Sequence, residues 1–198
     1  MMHGSTQVRT DAAYCFKYIL DFAPQLAKGD IVKICGALIR VANDRFPQEL
    51  KLQIYQALRF IQTKGGIAAK GFQVNMQTTY TKALGDPQST LATRRVVMDN
   101  LLLLVQSLPR IDPIMKDLNA LIDGSKIDGD QKASVSEILA LIIRVKGKAI
   151  SSAISQTIYQ TMTSILNDTQ GSNNDRIFCN CATALAFLSA HASEASQM

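Results

Sequence analysis

Tryptophan is absent from this 198-residue chain, and all aromatics together make up 6% of it. That scarcity argues against functions that need aromatic platforms for bases, sugars or proline-rich peptides. No apolar run approaches the ~18 residues of a membrane span. The longest is Leu101 to Val105, and the opening Met1-Met2-His3-Gly4-Ser5 lacks the basic-then-apolar order of a signal peptide. A cytoplasmic protein without a membrane partner is expected. Histidine is limited to His3 and His191, at opposite ends. There is no GxSxG, no GxxxxGK[ST] and no GxGxxG, and the carboxylates are dispersed. No catalytic residue, no cofactor and no enzymatic activity are expected. CxxC is missing too. Cys179 and Cys181 form a CxC, but on a helix they point about 200° apart and cannot grip one ion together. The stretch from Gly124 to Asp130 lacks the alternating acids and closing Glu of a calcium loop, and reads as an inter-helix turn. No metal site is expected. Four cysteines without a secretion signal suit a reducing compartment. Cys15, Cys35 and Cys181 sit at helical spacing among apolar residues and are expected in the core, reduced and metal-free.

What is present is helical periodicity. Hydrophobic residues make up 47% of the chain and charged residues 19%, which excludes disorder along its whole length. Apolar stripes at period 3.6 run through Val8-Ala12-Cys15-Ile19-Phe22, Ile31-Cys35-Leu38-Ala42, Leu50-Ile54-Leu58-Ile61 and Phe72-Met76-Tyr80-Ala83. They continue through Met98-Leu101-Leu102-Val105, Ile111-Met115-Leu118-Ile122 and Val135-Ile138-Leu139-Ile142. Ile150-Ile154-Ile158-Met162-Ile165 and Ile177-Cys181-Leu185-Leu188 complete the set. Pro24, Pro47, Pro87 and Pro109 fall in connections or first turns, and Gly65-Gly66, Gly85, Gly124, Gly129, Gly147 and Gly171 mark helix ends. No alternation of period two is sustained, so strands are not expected.

Several helices end in a small acidic turn, at Asp44, Asp86, Asp123 and Asp168, spaced by 42, 37 and 45 residues. A second helix follows each turn, often with Arg near its start: Arg45, Arg94, Arg176. Two helices per ~40 residues with an acidic turn resemble the HEAT repeat. Each Asp is expected to cap the second helix and to pair with an Arg of a neighbouring repeat. The expected fold is all-α: a right-handed α-solenoid of HEAT-like antiparallel helix pairs, nine helices in about 4.5 repeats. Residues 1–192 would form one array, cut from a longer solenoid because the first helix lacks its mate, and residues 193–198 a flexible tail.

The net charge is +5, from 21 basic and 16 acidic residues. This suits an acidic partner without demanding sequence-specific nucleic acid. Many cations fall near helix ends, where adjacent repeats of a solenoid form a continuous edge: Arg40, Arg45, Lys64, Lys70, Arg94, Arg95, Arg110, Lys126, Lys132, Arg144, Lys146 and Lys148.

Between residues 36 and 86 the likeness becomes specific. Leu38-Ile39-Arg40, Asp44-Arg45-Phe46, the run from Lys64 to Lys70 and the run from Gln77 to Asp86 occur in order, followed by Arg110-Ile111-Asp112-Pro113. This resembles the very large HEAT-repeat translational activators of the general amino-acid control pathway, in their C-terminal, kinase-binding portion. Tyr80 stands where that family usually has Phe, and residues 71–76 lack its prolines. The resemblance implies a non-catalytic scaffold in translational control. It would bind the RWD domain of the general-control kinase that phosphorylates initiation factor two alpha, with the ribosome reached through the full-length protein. The family uses a basic residue for the kinase contact. Arg40 and Arg45 are the leading candidates, with Lys82, Arg94 and Arg95 as further partner-binding residues. The competing readings are a tubulin-binding or a transport-receptor HEAT module. The first usually carries a Trp in its first inter-helix loop; the second carries acidic or Trp/Asn arrays.

Overall fold

The computed structural model describes residues 5–22, 30–124, 126–168 and 174–195. It is 84% helical, and no strand occurs among the described residues. In chain order the helices are α1 (Thr6–Phe22), α2 (Ile31–Ala42), α3 (Gln48–Lys64), α4 (Gly66–Lys70) and α5 (Gln73–Leu84). Then follow α6 (Leu91–Ser107), α7 (Asp112–Asp123), α8 (Gly129–Lys146), a 3-10 turn (Gly147–Ala149), α9 (Ser152–Asp168) and α10 (Asp175–Ala195).

Ten α-helices are described where nine were expected. The extra one is α4, five residues long. Gly65 and Gly66 do end α3 as expected, but Gly66 turns through a left-handed φ of 57° and the chain restarts at once as a helical turn. Elsewhere the start signals are local. Pro47 directly precedes α3, Pro113 lies in the first turn of α7, and Asp128 caps α8. At that cap the Gln131 N–H donates to Asp128 Oδ1 at 2.8 Å, and the Asp128 N–H donates back to Gln131 Oε1 at 3.0 Å. This capping box fixes the start of α8.

The chain divides into two compact units, residues 1–83 with 88–104, and residues 84–87 with 105–198. In the first, α1 and α2 both pack on α3, and α4 seals the space beside α2 and α3. In the second, α7 packs on α8 and α9, and α8 and α9 both pack on α10. The buried faces are largely the expected stripes. Leu50, Ile54, Leu58 and Ile61 line α3, Ile111, Met115, Leu118 and Ile122 line α7, and Val135, Ile138, Leu139 and Ile142 line α8.

Three expectations about the core need correction. On α1 the stripe through Val8, Cys15 and Ile19 lies exposed, while Ala13 is fully buried. Apolar residues circle this helix, so periodicity marks more than one candidate face, and among its described side chains Ala13 is the one that is buried. Cys15 is therefore a surface thiol, whereas Cys35 and Cys181 are buried. On α6 the side chain of Leu102 is half-buried, and Leu101 and Leu104 take the core positions. Helix α10 runs to Ala195, and residues 196–198 of the expected tail lie outside the described residues.

Side-chain hydrogen bonds between helix pairs recur at separations of 36 to 48 residues. In the first unit, Asn43 Nδ2 donates to Thr79 Oγ1 at 2.8 Å, Gln62 Nε2 to the Asn100 carbonyl at 3.3 Å, and Asn100 Nδ2 to the Tyr55 carbonyl at 2.8 Å. In the second, Asn119 Nδ2 donates to Thr161 Oγ1 at 3.0 Å and Gln131 Nε2 to the Leu84 carbonyl at 3.3 Å. There Asn180 Nδ2 also donates to the Ala133 carbonyl at 3.0 Å. The period of these rungs is the length of one helix pair plus its connection. Within each unit, pairs therefore stack on sequence neighbours, as in an α-solenoid.

Candidate functional site

The five candidate partner-binding residues lie in the first unit, and three of them, Arg40, Arg45 and Lys82, lie around the turn that joins α2 to α3. Asn43 ends α2 and is held by two bonds: its amide donates to the Ile39 carbonyl at 2.9 Å and to Thr79 Oγ1 of α5 at 2.8 Å. The end of α2 is thereby fixed beside the C-terminal half of α5. Arg40 lies one turn before this rung, Arg45 two residues after it, and Lys82 one turn beyond Thr79 on α5. All three are exposed. Arg40 and Lys82 occupy the last turns of their helices, where a cation is also favoured by the helix dipole.

The turn itself is shaped by Asp44. Its Oδ1 accepts the Arg45 backbone N–H at 3.0 Å, so the carboxylate engages the peptide rather than a guanidinium. Among the described residues Arg45 forms no ion pair with Asp44 or Asp86. Ion pairs that do join neighbouring repeats include Arg59 with Asp99 at 2.9 Å, and Arg176 with Glu137 at 3.5 Å. Both are solvent-exposed and weak.

The remaining two candidates separate. Arg95, in the first turn of α6, is exposed. Arg94 is only 6% accessible, and its Nη1 donates to the Ser89 carbonyl, closing the loop before α6. Its guanidinium is thus held against the loop backbone rather than left exposed. Adjacent positions on a helix differ by about 100°, so a pair of arginines at a helix start divides naturally into one buried and one exposed.

Residue reasoning passed over Arg9. Its guanidinium stacks over the Phe46 ring at 5.0 Å from the centroid, bringing a fourth cation to the same turn from α1. The signal was the aromatic directly after Asp44-Arg45, a side chain that a cation on a neighbouring helix can cover.

Titratable groups in the interior are structural. Burial pushes the Cys35 thiol up to about 12 and the Cys181 thiol to about 11. Burial, with the Cys35 sulfur nearby, holds the Tyr80 phenol well above its ordinary value, and its O–H donates to Gln62 Oε1 at 3.0 Å. No group of three or more His, Cys, Asp or Glu that could hold a metal ion occurs among the described residues. No helix among them is long and apolar enough to cross a membrane.

The chain is similar along most of its length to segments of much longer proteins. It is 28% identical over 199 residues, all of this chain and 7% of the relative, to Protein ILITYHIA of Arabidopsis thaliana. To the human protein named stalled ribosome sensor GCN1 it is 28% identical over 180 residues, 89% of this chain and 6% of that one. To the eIF-2-alpha kinase activator GCN1 of Saccharomyces cerevisiae it is 24% identical over 191 residues, 96% of this chain and 7% of the relative. The chain thus spans well under a tenth of the curated relatives it matches. No family model and no solved structure matches. The resemblance seen in the order of residues 36–113 is therefore met again over most of the chain, in homologues named GCN1.

Proposed function

We propose that this chain is a non-catalytic, cytoplasmic protein–protein interaction scaffold in translational control, and that Arg40, Arg45 and Lys82 hold the RWD domain of the general-control kinase. The observation that carries the reading is the clustering of three exposed cations around the Asn43–Thr79 rung, inside the stretch where the resemblance is most specific. Arginine fits the task, since its planar guanidinium grips a carboxylate through two parallel hydrogen bonds. Arg9 is placed to join them from α1, and Arg95 lies on the same unit at the start of α6. Relatives are named for sensing stalled ribosomes and for activating the eIF-2-alpha kinase. In this reading the segment contributes the kinase contact, and the ribosome is engaged by a longer protein of that kind.

The test is a pull-down against an isolated RWD domain and, separately, against tubulin. Arg40→Glu and Arg45→Glu should each abolish RWD binding while helix content and melting temperature stay at the wild-type level, because neither side chain supports the fold. Wild-type affinity in both variants would falsify the site. Capture of tubulin but not of the RWD domain by the unaltered chain refutes the whole reading.

A further inference from the structure

From Leu50 to Gly85 the chain carries no Asp or Glu, although it carries Lys51, Arg59, Lys64, Lys70 and Lys82. Two of these are taken up in the fold: Lys51 is buried and Arg59 pairs with Asp99. Lys64, Lys70 and Lys82 are exposed, and none of them forms an ion pair among the described residues. The same stretch holds the two most exposed large apolar side chains among the described residues, Ile67 on α4 at 86% and Val74 on α5 at 71%.

These two side chains share a face. Gly71, between the helices, keeps a right-handed helical backbone at φ −61° and ψ −17°. The Phe72 N–H donates to the Ala69 carbonyl at 3.1 Å and the Met76 N–H to the Phe72 carbonyl at 2.8 Å, so the helical turn runs on from α4 into α5. One covered stripe passes through both helices: Ala69, Met76, Tyr80 and Ala83 are buried, and Phe72 lies beside Gly36 of α2. Ile67, Lys70 and Val74 recur at spacings of three and four residues, about 160–200° around the helix from that stripe, and form a ridge on the opposite side. Within the first unit, α2 and α3 precede this ridge and α6 follows it, so its exposure does not come from a missing sequence neighbour. Exposed apolar side chains rimmed by polar groups mark interaction sites.

We propose that the Ile67–Lys70–Val74 ridge is a docking site for an acidic amphipathic helix of a partner protein. Ile67 and Val74 are two helical turns apart, about 10 Å, which matches apolar residues at i, i+3 or i+4, and i+7 of a helix laid alongside. Lys70 between them, with Lys64 and Lys82 beyond, meets carboxylates on the flanks of that helix, and no acidic residue from Leu50 to Gly85 repels them. The site goes beyond the kinase reading and uses neither Arg40 nor Arg45.

The probe is a fluorescein-labelled helical peptide of about 18 residues, with Leu at every third or fourth position and Glu on both flanks. By fluorescence anisotropy the unaltered chain should bind it saturably with a Kd of about 1–100 μM. Raising the salt from about 50 to about 300 mM should weaken binding severalfold. Ile67→Ser with Val74→Ser, and separately Lys70→Glu, should each weaken it about tenfold or more. Helix content should stay unchanged, since none of these side chains is buried. Val8→Ser, at an exposed aliphatic on α1, should bind as the unaltered chain does. Failure of the unaltered chain to bind the peptide overturns the proposal. Equal binding of a scrambled peptide of the same composition overturns it as well, as does wild-type affinity in either ridge variant. Sedimentation with phosphatidylserine–phosphatidylcholine vesicles supplies the remaining arm: capture by vesicles without binding of the peptide assigns the ridge to a membrane surface and overturns the proposal too.

Discussion

Gly147 offers a sharp test of how neighbouring repeats are joined. Its backbone, at φ −52° and ψ −35°, suits any residue, so alanine would meet no conformational penalty. A Cβ at this position would, however, fall on the His191 ring, against Cδ2, Nε2 and Cγ. That ring bridges to the Ile143 carbonyl through Nε2 at 3.0 Å, across 48 residues of sequence. A planar ring held at one nitrogen cannot move aside without breaking the bond. Overpacking of this kind costs about 1–3 kcal/mol, and loss of the hydrogen bond about 0.5–1.5 kcal/mol. Gly→Ala returns about 0.4–1 kcal/mol by restricting the unfolded chain. The net expectation is a loss of about 0.5–4 kcal/mol, or roughly 1–16 °C in melting temperature for a chain of this length. In a His191→Ala background the ring is gone, and Gly147→Ala should instead stabilise by up to about 1 kcal/mol. Urea unfolding followed by circular dichroism, over all four members of the cycle, measures the coupling. Equal effects of Gly147→Ala in both backgrounds would refute the reasoning, since the steric argument requires the sign to change.

Leu58→Ala should cost ~2–5 kcal/mol by opening a cavity in α3, whereas Leu102→Ala, at a half-buried position, should cost about 1 kcal/mol or less; thermal melts of the pair test the core assignment. Asp128→Ala removes one half of the α8 capping box and should cost about 0.5–2 kcal/mol in the same assay. In the native protein at neutral pH, Cys15 and Cys179 should alkylate readily while Cys35 and Cys181 resist, as mass spectrometry of the labelled chain would show. Burial raises the Cys35 thiol from 9.0 to about 12, so the folded state favours the protonated form. Its contribution to stability is complete below the ordinary value and is lost as pH rises from about 9 toward 12; Cys35→Val should flatten that alkaline decline.

The helices were legible because packing repeats a period that residues can display. Each stripe from α2 to α8 became a buried face, with the half-buried Phe72 and Leu102 as local exceptions. On α1 the same signal misled, since Val8, Cys15 and Ile19 are as apolar as a covered stripe and no residue on α1 states which side a neighbour will occupy. Helix α4 was hidden because Gly65-Gly66 reads as a terminus, and only the backbone shows the chain turning and resuming. For the candidate site, Arg40 was predictable from its position off the α2 stripe. Arg94 and Arg95 are indistinguishable as residues, and only the loop ending at Ser89 decides which guanidinium is taken inward. The Arg9–Phe46 contact joins residues far apart in the chain, and no local period could have announced it.

Six of the rungs between repeats are asymmetric in what they ask of their two ends, unlike the side-chain pairs Asn43–Thr79 and Asn119–Thr161. Gln62, Asn100, Gln131, Lys146, Asn180 and His191 each reach to a main-chain carbonyl, at Asn100, Tyr55, Leu84, Leu108, Ala133 and Ile143 respectively. A carbonyl is the same atom pair whatever side chain its residue bears. Only the reaching end of such a rung is tied to particular residue types, so mutation can rewrite the receiving positions without erasing the register between helix pairs. An array tied in this way can drift far in sequence, one receiving position at a time, while its repeats continue to find each other at the same spacing.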